Sequence, residues 1–364
     1  MITGRLYRYF AMRFFNYVSA SFIGVVALAA MMDYVEMMRR GADWPHATAW
    51  VLAEISLLRV PQLTEHIMPF SVLVGAMACY VTLSRRLELI IARAAGVSAW
   101  QFVAPAVVVA LLFGAFATTV YNPLAAMLHE RSKRIESELL GELPTSALQE
   151  STSGFWVRQK STAGAAILNA KSSRDQGAQL GGVTVYTFDS AGHFRDRIEA
   201  TSATLERGYW LLDDARVYAV GKPPALQETY RLGTNLTLEQ VRESFATPET
   251  VPFWELPSYI EMADRAGLSA AGYRLQYNVL LSRPFLLAAM VLLGASVSLR
   301  FFRFGGVQSM ILGGICAGFL LFVLSKITED MSTAELLSPV LAALIPVLVG
   351  SLTGFVVLLY QEDG

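Results

Sequence analysis

Apolar residues along this chain come in two rhythms. Six stretches, at 14–32, 62–83, 100–121, 275–299, 307–326 and 337–360, are apolar almost throughout. Each is close to the roughly 20 residues that an α-helix needs to cross about 30 Å of hydrocarbon. Between the third and fourth stretches, "GGVTVYTFDSAGHFRDRIEATSATLERGYWLLDDARVYAV" instead alternates apolar and polar positions. Turn signals interrupt it at Asp189-Ser190-Ala191-Gly192 and Glu206-Arg207-Gly208, the mark of half-buried antiparallel strands. The pattern predicts a polytopic α-helical membrane protein of six transmembrane helices with an inserted all-β domain, a small sandwich or barrel. The expected organisation is 1–121 for the first three spans, 122–273 for the β domain with a connecting helix in "PSYIEMADRAGLSAAGYRLQYN", and 274–364 for the last three. A further apolar stretch, "ATAWVLAEISLLRV", precedes the second span. Pro61 and Pro69 are predicted to bend the combined run and leave its first part at the interface.

Composition agrees: 54% of residues are hydrophobic, only 16% are charged, and mean hydropathy is +0.43. The net charge of −1 gives no basic field for a nucleic acid. Placement of charge says more than the total. Arg5, Arg8, Arg13, Arg85, Arg86, Arg93, Arg300 and Arg303 flank one side of the spans; Arg39, Arg40 and Lys326 flank the other, among Asp33, Glu36, Asp43, Glu329, Asp330 and Glu335. The positive-inside rule then places both termini in the cytoplasm and the β domain outside it. The first apolar run shows no small-residue cleavage site and is expected to remain as a span. Cys79 and Cys316 both fall in apolar runs and read as small buried hydrophobes.

Intrinsic catalysis finds no support. There is no phosphate-binding G-x-x-x-x-G-K-[ST], and Gly221-Lys222 is followed by prolines. His46, His66, His129 and His193 are dispersed, so no metal site is expected. No G-x-S-x-G elbow occurs, and the pair Asp213-Asp214 is expected in a turn between strands.

Charges within the spans carry more information, because an ionised group in hydrocarbon needs a partner or a wet cavity. Arg283, in "QYNVLLSRPFLLAAM", has two open readings: snorkelling toward headgroups, or facing an anionic ligand. Arg59, Glu65 and His66 form either a mutual salt-bridged cluster or ligand contacts, and Lys326 is expected at the interface. Gly314 and Gly318 in span five, like Gly350 and Gly354 in span six, form G-x-x-x-G patterns suited to close packing within the chain or against another subunit.

One segment between spans two and three is too charged and too short to cross a bilayer: "SRRLELIIARAAGVSAW", residues 84–100. On a helical wheel Leu83, Leu87, Ile90, Ile91 and Ala94 share one face; Arg85, Arg86, Glu88, Ala92 and Arg93 share the other, with Leu89 in its middle. A surface helix over 84–96, ended by Gly96, is predicted, with its apolar face on the bilayer and Leu89 offered as a knob between Glu88 and Arg85 to a partner's groove. The plainer alternative is a passive basic loop.

The segment "SRRLELIIARAAGVS" closely resembles the short cytoplasmic helix between spans two and three of the lipopolysaccharide-transport permeases, the LptF/LptG family. The resemblance continues through "RVPQLTEHIMPFSVLVGAM", "GFWVRQ", "GGVTVYTFDSAG", "TNLTLEQV" and "YRLQYNVLLSRPF", the last three being closer to the LptG branch. It implies a periplasmic β-jellyroll between spans three and four of an inner-membrane protein. The implied partners are an LptF-like permease, an LptB-like ATPase dimer that uses ATP and Mg, an LptC-like single-span protein and a periplasmic bridge of LptA-like jellyrolls. No cofactor is expected on this chain itself. Lipopolysaccharide would be extracted from the inner membrane and handed to that bridge. By position, Glu88 matches the acidic residue of the family's coupling helix, with Leu89, Arg85 and Arg86 beside it. Arg283 occupies a position that is basic in relatives. Asp33 departs from a lysine found in some relatives, for which Arg39 and Arg40 are the expected substitutes; Arg59 is a further residue expected to meet lipid. Spans one and five are expected to form lateral gates with the second permease, at which Gly314 and Gly318 would pack and separate. Two rivals are a four-span mechanotransmitting permease of the FtsX or MacB kind, and a membrane-anchored scaffold.

Overall fold

A computed structural model describes residues 2–41, 48–139, 155–161, 164–174, 178–188, 193–206, 208–219, 223–234, 248–266, 270–304 and 307–362. The chain divides into two compact units, one built from residues 1–136, 252–254 and 271–364, the other from 137–251 and 255–270.

The first unit is helical. It contains α1 (Ile2–Arg40), α2 (Ala49–Arg85), the short α3 (Glu88–Ala94), α4 (Ala99–Phe116), and, after one π-helical turn at Ala117–Tyr121, α5 (Asn122–Leu139). In the second half lie α7 (Ala271–Phe304), α8 (Val307–Thr333) and α9 (Pro339–Glu362); α6 belongs to the other unit. Six helical runs among the described residues are long and apolar enough to span a membrane: 4–40, 49–85, 99–133, 271–299, 311–333 and 339–360. All six predicted spans are therefore present, and the third continues well past residue 121 into α5. The expected bend in the second does not interrupt it: α2 is one helix of 37 residues with Pro61 and Pro69 inside. At 1.5 Å per residue it is about 55 Å long, well beyond the hydrocarbon thickness. Thr48 caps its start, accepting from the Val51 N–H at 3.4 Å.

α7 is the hub, packing against α2, α4, α8 and α9, while α1 leans on α2 and α4. Small residues set the close crossings. A Cβ at Gly114 of α4 would overlap the Pro284 backbone of α7, and one at Gly75 of α2 would lie 2.7 Å from Val18 Cα of α1. Gly354 of α9 meets the Leu292 and Leu293 backbone of α7 in the same way. The core so formed runs through Phe14, Val72, Leu73, Tyr80, Phe102, Leu287 and Val291, all nearly inaccessible.

The second unit contains a six-stranded antiparallel sheet in chain order: β1 (Phe155–Ser161), β2 (Gly164–Arg174), β3 (Gln179–Phe188), β4 (Phe194–Glu206), β5 (Tyr209–Ala219) and β6 (Ala225–Gly233). Burial alternates along β3 and β4 as the period-two pattern requires. One face carries Leu168, Val185, Ile198, Trp210 and Leu212, each buried to within 1%. The β4–β5 turn uses Gly208 at φ +86°, open to glycine without strain. The described strands form this single meander; the second sheet of a sandwich or jellyroll is not among them. Asp213 and Asp214 lie inside β5 rather than in a turn, and Asp213 accepts from Ser202 Oγ at 2.8 Å. The expected connecting helix is two helices, α6 (Leu256–Ala266) in this unit and α7 in the other.

Candidate functional site

Two groups of residues in the helical unit stand out: a buried polar cluster between α2, α4, α5 and α7, and the α3 segment with its flanks.

The cluster is built on the Gly114–Pro284 crossing. Because glycine lets α4 and α7 touch backbone to backbone, the next turn of α4 reaches α7 directly, and Thr118 Oγ1 donates to the Leu280 carbonyl at 2.8 Å. The π-helical turn begins at Ala117, one residue before; such turns are wide and often mark functional sites. One turn along α7 is Arg283, whose Nη1 donates to Glu65 of α2. Both side chains are more than nine-tenths buried. Asn122 donates from Nδ2 to the same carboxylate at 2.8 Å and accepts the Phe253 N–H through Oδ1 at 3.0 Å. Thr64 and Tyr121 share a hydrogen bond of 2.6 Å beside it. Trp254 Nε1 donates to the Thr119 carbonyl at 3.0 Å, and the Phe253 ring stacks on Tyr277 at 5.4 Å. Residues 252–254, which return from the β-rich stretch of sequence, are thereby fastened to the membrane helices.

Arg283 is buried and its charge is paired within the chain by Glu65. The other residues expected to meet lipid also have carboxylate neighbours. Arg59 lies 4.0 Å from Asp33 and its Nη1 is 3.1 Å from the Met37 sulfur. Arg59, Glu65 and His66 do not form the mutual cluster considered from sequence, since Arg59 turns to α1 and Glu65 to α7. Arg39 and Arg40 share Glu36 at 2.9 and 2.7 Å on the exposed last turn of α1. Lys326 is exposed and pairs with Glu329 and Asp330 at 3.6 and 3.8 Å.

The α3 segment departs from the predicted single helix over 84–96. α2 ends at Arg85, Arg86 caps it, and Leu87 takes the left-handed conformation, φ 62°, where glycine usually sits. α3 then runs for only seven residues. Its end is a Schellman motif: the Gly96 N–H donates to Arg93 O at 2.9 Å and the Val97 N–H to Ala92 O at 3.0 Å, with Gly96 at φ +82°. Ser98 and Gln101 then form a capping box that starts α4.

The break at Leu87 changes which residues face inward. Leu89 and Ala92 are buried in the helical core, so Leu89 is an anchor and not an outward knob. Leu87, Ile90 and Ile91 are 53%, 49% and 66% exposed on the opposite side. Arg85 and Arg86 are exposed. Glu88 accepts from Tyr9 Oη of α1 at 2.8 Å, a contact that sequence reasoning missed.

Gly314 and Gly318 face α2. A Cβ at either would meet Met77 or Leu73 side chains of this same chain, so the pattern serves internal packing. Of the two cysteines, Cys79 is buried as expected and Cys316 is exposed.

Comparison with known proteins agrees with this architecture. The lipopolysaccharide export system permease protein LptG of Escherichia coli K12 is 22% identical over 361 residues, covering 94% of this chain and 94% of its own. The protein of the same name from Haemophilus influenzae is 23% identical over 358 residues, covering 93% of this chain and 94% of its own. The family described as lipopolysaccharide export system permease LptF/LptG matches residues 8–360. The chain is a multi-pass membrane protein that belongs to the LptF/LptG family of lipopolysaccharide export permeases.

Proposed function

We propose that this chain is the LptG-type half of an ATP-driven exporter in the bacterial inner membrane. With an LptF-like second permease it would extract lipopolysaccharide and pass it, through an LptC-like subunit and LptA-like jellyrolls, toward the outer membrane. An LptB-like ATPase dimer would supply the energy from ATP and Mg. The flanking Arg5, Arg8, Arg13, Arg85, Arg86 and Arg93 support an orientation with both termini and α3 in the cytoplasm and the β unit in the periplasm.

The observation that carries the coupling role is the outward face of α3. Leu87, Ile90 and Ile91 are exposed on the side opposite the buried Leu89, in a segment where Arg85 and Arg86 are also exposed. Leu87 keeps a left-handed backbone that costs about 1 kcal/mol for a residue other than glycine. Its side chain is more than half exposed, so burial among the described residues does not account for a leucine there. An apolar knob flanked by Glu88 and two arginines suits a groove on a separate subunit. The exposure of Leu87, Ile90 and Ile91 beside Glu88, with Leu89 buried behind them, supports a docking surface there.

For lipid, Arg39 and Arg40 are accessible cations, exposed at the periplasmic end of α1 and paired with Glu36 among the described residues. A phosphate offers more acceptor oxygens than one carboxylate and can exchange with it. Arg59 and Arg283 are half-committed and fully committed to Asp33 and Glu65, so they are reserves that a rearrangement would have to release.

The test is purification of the chain with its native partners, with proteins and lipid identified by mass, followed by ATP-dependent lipid release. An ATPase, a second permease and lipopolysaccharide are expected; Glu88→Ala should keep the assembly and separate ATP hydrolysis from release. A complex without lipopolysaccharide would refute the reading. The LptF paralogue is the runner-up, distinguished by which paralogue copurifies. A four-span mechanotransmitter is disfavoured by six spanning helices.

A further inference from the structure

The first turns of α1 carry two cations that the chain leaves uncompensated. α1 enters the helical core through Leu6, Phe10, Phe14 and Val18. At 100° per residue those four lie on one side of the helix, whereas Arg5, Arg8, Met12 and Phe15 lie on the other, and all of these are exposed. Two neighbouring arginines already have partners. Arg13 Nε donates to Tyr9 Oη at 3.0 Å with its guanidinium 5.4 Å over the Tyr9 ring, and Arg93 lies 5.9 Å over Phe102. The Glu88 carboxylate accepts from Tyr9 at 2.8 Å. Arg5 and Arg8 have no ion pair or hydrogen bond among the described residues. α1 itself supplies no counter-charge near them: its first acidic residue is Asp33, 25 residues past Arg8 and so about 38 Å along the axis.

Depth matters as much as charge. At 1.5 Å per residue Arg5 and Arg8 stand about 14 and 9 Å before Phe14, where the apolar run begins. The headgroup layer on each side of the hydrocarbon is about 5–8 Å thick, and the long arginine side chains reach back into it. Met12 lies about 6 Å beyond Arg8 and Phe15 about 11 Å beyond it on the same exposed side, which continues at Ile23. Along this stripe cations are followed by apolar side chains, the order in which phosphate and acyl chain follow one another in a phospholipid. Tyr7 and Tyr9, both exposed, add the amphipathic rings that favour the interface.

We propose that Arg5 and Arg8, with Met12 and Phe15, form a docking site for an anionic phospholipid. The two guanidinium groups take the headgroup phosphate, and the two apolar side chains lie along the first part of an acyl chain. A zwitterionic phospholipid carries its own ammonium beside the phosphate, so it gains less from the arginines. The proposed orientation of the chain decides only the leaflet: with the termini in the cytoplasm, the lipid belongs to the cytoplasmic leaflet.

The test uses the full chain with its native partners in nanodiscs of equal phosphatidylglycerol and phosphatidylcholine, with the lipid retained after mild detergent extraction counted by native mass spectrometry. Phosphatidylglycerol should be retained in preference by about 30-fold, the value of two arginines at a membrane surface. Arg5→Gln with Arg8→Gln should abolish that preference. Arg85→Gln with Arg86→Gln removes as much charge from another place and should keep it. An unchanged preference in the Arg5 and Arg8 variant would overturn the site, and so would an equal loss in the Arg85 and Arg86 variant, which would reduce it to a general effect of positive charge. Displacement of the lipid by soluble glycerol 3-phosphate would show a phosphate site that does not need a lipid, and would overturn it too. Loss of a copurifying protein from the Arg5 and Arg8 variant, with lipid retention unchanged, would assign this face to a protein partner instead. A reporter that fluoresces only in the cytoplasm, fused after Gly364, reads the orientation separately: a dark fusion refutes the assigned leaflet, while the retention ratio still decides the site.

Discussion

Arg283 and Glu65, 218 residues apart in the chain, form a buried ion pair that joins α7 to α2. Asn122 satisfies the same carboxylate and fastens it to the Phe253 backbone. Removing either charged partner leaves the other uncompensated. Arg283→Ala or Glu65→Ala should each cost about 3–5 kcal/mol, whereas a paired apolar replacement, Glu65→Leu with Arg283→Met, should be much milder. Thermal unfolding of the purified complex in detergent measures both. A loss in the paired variant equal to the sum of the two single losses would mean that the pair is not coupled.

The crossing that positions this pair is sensitive to one methyl group. Gly114→Ala drives a Cβ into the Pro284 backbone and should cost about 1–3 kcal/mol. Gly314→Ala meets only the flexible end of Met77 and should be tolerated with a smaller loss. The contrast is read as a difference in melting temperature between the two variants.

Leu87→Gly should relieve left-handed strain by up to about 1 kcal/mol and stabilise the chain locally. The same change removes an exposed leucine from the docking face, so affinity for the ATPase subunit should fall about ten-fold, matching loss of burial worth some 1.5 kcal/mol. Leu87→Asn, which also tolerates the conformation, should weaken binding similarly with little change in stability. Titration of purified ATPase subunit against detergent-solubilised permease pair measures this. Undiminished affinity in both would remove Leu87 from the interface.

In the β unit, Trp210 is fully buried between neighbouring strands, and Trp210→Ala should cost about 3–5 kcal/mol there. Amide hydrogen exchange should report loss of protection in β3–β5 while α7 and α9 keep theirs. Loss of protection in the helices as well would show that the two units unfold together.

Much of this architecture is legible from one-dimensional periodicity. A span of about 20 apolar residues and a strand of alternating burial are local signals, so the six helices and the meander around Val185, Ile198 and Leu212 were predictable. Residues fixed by long-range contact were not. Nothing near Arg283 in sequence announces Glu65, and nothing near Glu88 announces Tyr9. The outward placement of Leu89 and Ala92 in 84–96 failed for a specific reason. A helical wheel assumes one unbroken helix, whereas Leu87 at φ 62° resets the phase and turns Leu89 inward. A leucine at a helix C′ position gives no warning, because glycine is the residue that normally marks it. Gly96, which does follow that rule, was read correctly as the end of α3.

The most direct test of the central claim, that the outward face of α3 couples a separate ATPase to lipopolysaccharide release, is Ile91→Asp in the reconstituted complex. Ile91 is exposed, so the change spares the fold while placing a charge in the proposed contact. The account predicts that lipopolysaccharide still copurifies with the permeases, while the ATPase subunit dissociates and ATP-dependent release is lost. Release at the wild-type rate from the Ile91→Asp complex would contradict it.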